Sequence, residues 1–179
     1  MIAVSIDFWF AVSIVHQVKT AESRNSRHVA NLCGKYFLLY ACKQPSSMDP
    51  NVLSQIQQFC PPSALSQVLQ GAPYGWPDCC VWALVEAGET VSKLCPDTGP
   101  CPVHEKTGWH PGPAELVMPS TRPFQHATRL KDVMLLRHNV CARPNGSGPF
   151  HVNIPLSAIP MDKMDSRQME RLRRSVVGT

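Results

Sequence analysis

Charge is scarce in this chain. Asp, Glu, Lys and Arg make up 17% of its 179 residues, against about 25% in an ordinary soluble domain. The 13 carboxylates are scattered, so no pair declares itself for general acid–base work. Neither G-x-x-x-x-G-K-[ST] nor G-x-G-x-x-G occurs, which leaves no glycine loop to cradle phosphate. Gly146-Ser147-Gly148 lacks the G-x-S-x-G frame of a nucleophile elbow. No C-x-x-C pair exists, and the usual redox and zinc-ribbon signatures go with it. His104-Glu105 has no second histidine at the spacing of a zinc-protease helix, since Gly108 and Trp109 occupy that region. No enzyme class is indicated.

Proline, by contrast, is abundant: 17 in 179 residues, nearly twice the usual share of about 5%. Each proline removes a backbone donor and fixes φ, so a wide spread of them predicts short, interrupted elements. Hydrophobic residues at 44% still supply enough apolar material for a core. Net charge is +4 with a pI near 8.7. The only dense basic run is Lys163 to Arg174, so no specific nucleic-acid function is indicated. Eight cysteines is an even number. The disulfide-framework inference belongs to secreted chains shorter than about 100 residues, and reduced thiols are expected here.

The segment 2–15, within MIAVSIDFWFAVSIV, is the most apolar stretch. It is too short to cross a bilayer, which takes about 20 apolar residues. As a secretory leader it lacks a basic residue before Lys19, is broken by Asp7, and has Lys19 two positions before Ala21. Its Val, Ile, Phe and Trp suit a buried strand or a helix, with membrane association as the alternative use. A second apolar run spans 35–42. Helices are expected at 50–59, with Ser47 or Asp49 as cap and Pro50 in the first turn, and at 63–70, closed by Gly71. Further helices are expected at 79–94, from Val81, Trp82, Leu84 and Val85, and at 125–139, from Leu130, Val133, Met134 and Arg137. The last helix is expected at 161–176, with Met164, Met169, Leu172 and Val176 on one side and arginines around it. Seven prolines and three glycines between Pro96 and Pro123 predict an irregular linker.

The expected fold is therefore mainly α, with short helices joined by long irregular Pro/Gly-rich loops, loosely packed and partly disordered. It divides into apolar segments at 1–44, helical segments at 47–95, the linker at 96–123, and helical segments ending in the basic helix at 124–179. The expected function is a non-enzymatic, cytoplasmic or nuclear interaction protein that docks through the C-terminal helix. Met164, Arg167, Arg171, Leu172, Arg173 and Arg174 are the candidate contact residues for a protein partner. The composition equally suits a recently arisen or incidental open reading frame little shaped for folding.

Two alternatives stand beside that reading. One is a secreted or membrane-associated cysteine-bridged protein, in which the sequon at Asn145 would carry glycan. The other is a small zinc module built from Cys95, Cys101, His104 and His110. Zinc wants four such ligands in a tetrahedron. Gaps of five, two and five residues do not match the paired spacing of common structural sites, and no cofactor is otherwise expected.

Overall fold

Strand β3 (Tyr36–Ala41) is buried at all of its positions. Phe37, Leu39 and Ala41 enter one core, while Tyr36, Leu38 and Tyr40 enter another. That alternation is the period of two that a strand imposes on its side chains. The computed structural model describes residues 1–92, 103–116, 125–144 and 148–177. Around β3 it builds a six-stranded mixed sheet from β1 (Ile2–Ile6), β2 (Ala21–Arg24), β4 (Cys80–Ser92), β5 (His126–Cys141) and β6 (Phe150–His151), in the order β2-β5-β4-β3-β1-β6. Among the described residues only β1 and β3 run parallel, and every other pairing is antiparallel.

Helices cover both faces. Helix α1 (Phe8–Val15), α2 (Pro50–Phe59) and α3 (Pro62–Gln70) lie on the first, through Phe8, Val12, Ile56 and Val68. A single turn, α4 (Pro113–Leu116), closes a small third cluster of Ala21, Val91, Leu116 and Ala127. Helix α5 (Ser166–Val177) lies on the second face, where Leu172 joins Leu38, Leu84, Leu136 and Ile159.

The mainly α, loosely packed expectation is thus overturned: the chain is an α/β fold with a filled core on each side of its sheet. The expected helices at 79–94 and 125–139 are the two longest strands. Their misleading spacing has a physical cause. Leu39 faces Ala83 and Tyr40 faces Val81, so Trp82 is an extra residue in β4. This bulge moves the first-face set from Cys80 and Trp82 to Ala83, Val85 and Ala87. In β5, Glu86 faces Lys131 and Leu84 faces Met134, with a shift between them. Asp132 sits there with φ +43°. The shift puts Leu130 and Val133 on one face three residues apart. A bulged strand buried on both faces therefore imitates a helical stripe.

Other expectations hold closely. Helices α2 and α3 fall at 50–59 and 62–70, with the Asp49 carboxylate accepting from Asn51 N at 2.8 Å and Gly71 closing α3 at φ +91°. Segment 2–15 supplies both β1 and α1. Among the described residues no helix is long and apolar enough to cross a membrane. Within the expected linker, Leu116 joins the third cluster with Ala21, Val91 and Ala127, and Trp109 packs against it. Thr20 N donates to Glu115 O at 3.0 Å, and the Lys19 amine donates to Leu116 O at 2.6 Å. Lys19 is 1% exposed, with Glu22 Oε2 at 3.6 Å and the Phe10 ring 5.2 Å away. Burial lowers its pKa, and the Glu22 carboxylate opposes that shift.

Trp82 is fully buried, meets Phe8 edge-on at 5.5 Å, and donates its indole N–H to Pro77 O at 2.9 Å. Trp82→Ala is expected to cost about 3–5 kcal/mol, because a bulge residue of this size leaves a cavity its neighbours cannot fill. Urea denaturation of the two proteins checks the difference.

Candidate functional site

Helix α5 begins with a reciprocal cap. The Asp165 carboxylate accepts from Gln168 N at 2.7 Å, and the Gln168 side chain accepts from Asp165 N at 2.8 Å. Two of the free donors at the helix start are satisfied this way. A three-ten turn at Met161–Lys163 precedes the cap, so the expected 161–176 helix is in fact a turn followed by a twelve-residue helix.

The helix is held to the sheet at three points. Leu172 is 5% exposed, and Met164 packs against the same core. Ser175 Oγ accepts from Tyr36 N at 2.7 Å and donates to Arg171 O at 2.7 Å, giving the first residue of β3 a partner. Arg171 Nη1 donates to Glu86 Oε2 at 2.5 Å. Arg171 and Leu172 therefore serve the protein's own interior. Arg167, Arg173 and Arg174 remain exposed on the outer arc. Arg174 pairs with Glu170 at 3.1 Å, one helical turn away. Arg167 and Arg173 have no carboxylate partner among the described residues.

Beneath Arg171 lies a polar cavity of about 490 Å³ bordered by Glu86, Glu115, Arg129, Lys131 and Asp132. Glu86 and Asp132 are far apart in sequence and meet because the β5 bulge turns Asp132 toward β4. The Tyr36 hydroxyl donates to Asp132 Oδ2 at 3.4 Å. Burial pushes the Glu86 carboxyl above its usual range, a hydrogen bond with Asp132 adds to this, and Arg171 pulls the other way. Burial also raises the Tyr36 phenol, with Asp132 and Glu86 adding to it. On the rim, Glu89 accepts from Lys131 at 2.9 Å, and that hydrogen bond lowers its pKa. Positive and negative groups largely neutralise one another here, which makes the cavity an anchor for α5. The Glu86–Arg171–Asp132 group was not visible in the sequence. Its one signal there is a glutamate set in the apolar run VWALVEA, where an unpaired charge would be costly.

Two of the remaining candidate residues lie in one stretch. His104 belongs to the turn at 103–110, where its Nδ1 lies 3.0 Å from Thr107 Oγ1 and its backbone N donates to Trp109 O. His110 lies exposed in the same stretch. Cys95, Cys101 and Asn145 fall outside the described residues. Among the described residues no group of three or more Cys, His, Asp or Glu is arranged to hold a metal. Residues 2–15, the candidate membrane segment, contribute Val4, Ile6, Phe8, Val12 and Ile14 to the first core.

Arg171→Met is expected to leave the Glu86 charge buried without its partner. Arg171 is 39% exposed, so solvent screens part of the loss and the cost at pH 8 is about 2 kcal/mol rather than the larger figure for a fully enclosed pair. Because the folded Glu86 pKa is raised, its favourable contribution is present at low pH and fades as pH rises through the folded value. The Met variant is therefore less impaired at pH 5 than at pH 8, and Glu86→Gln added to it restores most of the loss. Equal penalties at the two pH values would show that Arg171 acts by packing alone. The site is read from its own geometry, for no protein-family model and no curated protein matches the chain.

Proposed function

We propose that the chain is a non-enzymatic interaction protein that presents the outer arc of α5 to an acidic partner. The observation that carries this reading is the division of the arginines. Arg171 turns inward to Glu86, while Arg167 and Arg173 stay in solvent without an ion-pair partner among the described residues. Arg174 adds a third guanidinium, paired only with the exposed Glu170. Such an exposed pair is worth about 0.3–0.5 kcal/mol and yields readily to a better carboxylate.

A helix already capped and docked need not be ordered on binding, so its charges are offered without the entropic cost a disordered basic tail would carry. Guanidinium groups suit a carboxylate-rich surface because each can make two parallel hydrogen bonds to one carboxylate. Rim charges of this kind act chiefly on association rate and on salt dependence. The interaction is therefore electrostatic in character, and its partner is an acidic segment rather than a hydrophobic groove. The apolar side that would enter such a groove is already committed to Leu38, Leu84 and Leu136.

The test is binding of a labelled polyglutamate peptide, followed by fluorescence anisotropy at two salt concentrations. Wild type should bind, and more weakly at the higher salt. Arg167→Glu with Arg173→Glu should lower affinity roughly tenfold or more, since each reversal removes an attraction and adds a repulsion. Both positions are exposed, so the melting temperature should stay close to that of wild type. Unchanged affinity in a folded double variant would remove this reading. Leu172 is unsuited to the experiment because its substitution strikes the core.

A further inference from the structure

Four of the eight cysteines meet at one end of the sheet. Cys42 follows β3, Cys79 and Cys80 lead into β4, and Cys141 ends β5. Cys80 is the cross-strand neighbour of both Ala41 and Cys141. The Tyr40 hydroxyl lies among these thiols and hydrogen-bonds Cys79. Within the group one pair stands apart: Cys80 Sγ and Cys141 Sγ are 3.3 Å from each other.

Backbone geometry at this pair permits a bond. Residues directly opposed on antiparallel strands have Cα atoms about 4.5–5.5 Å apart, inside the roughly 4.4–6.8 Å range that disulfides span. Closing the sulfurs to about 2.0 Å asks for side-chain rotation rather than strand movement. The two thiols also differ in access. Cys141 is exposed and Cys80 is buried. Burial, together with the hydrogen bond to Cys141, pushes the Cys80 thiol up to about 12. Cys80 is thus protected from direct attack and can react only with a sulfur delivered to it. Cys79, beside it at φ +56°, is exposed.

We propose that Cys80 and Cys141 form a reversible dithiol–disulfide couple, oxidised by low-molecular-weight disulfides of the glutathione type. In the first step the Cys141 thiolate attacks one sulfur of the small disulfide. A mixed disulfide forms on Cys141, the small S–S bond breaks, and one small thiolate leaves. In the second, Cys80 gives up its proton and attacks the Cys141 sulfur, so the protein S–S bond forms and the second small thiol departs with that proton. Two protein thiols are oxidised and one small disulfide is reduced to two thiols. The bridge ties the start of β4 to the end of β5. It is independent of the α5 reading, since none of its residues belongs to that helix.

The full chain, fully reduced, is incubated with oxidised glutathione and quenched with acid. Peptides are then read by mass spectrometry, with fragmentation between Cys79 and Cys80. Wild type should show a Cys80–Cys141 crosslink that has lost two hydrogens and retains no glutathione. Cys80→Ser should stop at the mixed disulfide, with glutathione left on Cys141. Cys141→Ser should leave Cys80 unmodified. Cys79→Ser, at an exposed position, should keep the crosslink and guards against misfolding in the other two variants. Glutathione retained on Cys141 in wild type would overturn the proposal, and so would a bridge running to Cys79 or Cys42.

Discussion

Burial of β3 and β4 on both faces governs the rest of this structure. A strand with two apolar faces is insoluble alone and must be covered twice, since each exposed large side chain forgoes about 1.5–3 kcal/mol. The first cover comes from α1, α2 and α3, and the second from α5 with the turn around Ala158 and Ile159. Strand pairing satisfies the backbone groups that would otherwise be stranded in that interior. Without α5 the second core, with Leu38, Leu84 and Leu136, would face water.

Proline acts here as punctuation and not as disruption. Pro50 and Pro62 occupy the first turns of α2 and α3, where the missing N–H is one the helix does not use. Neither β4 nor β5 contains a proline, although these are the longest elements of the chain. Among the described residues the prolines are confined to helix starts and connections, so they sharpen boundaries.

Polar groups inside the fold perform a comparable task at particular joints. Lys19 fastens the 113–116 turn near the β2 edge through a carbonyl contact, and Arg171 fastens α5 through Glu86. Each is a long side chain from one element reaching a group on another. Both positions are set by tertiary packing. On α5 this sorting produces the outward-facing Arg167 and Arg173.

Local chemistry was legible where it acts within a few residues. Asp49-Pro50 starting α2, Gly71 ending α3 and a basic terminal helix with arginines around its apolar side all follow from propensity, capping and spacing along one segment. The α/β character, the strands at 80–92 and 126–141, the meeting of Glu86 with Asp132 and the facing of Cys80 by Cys141 belong to tertiary structure alone. Their cause is the bulged antiparallel pairing of β4 with β5. An extra residue at Trp82 or near Asp132 changes which side chains share a face, and that residue becomes extra only once a partner strand defines the register.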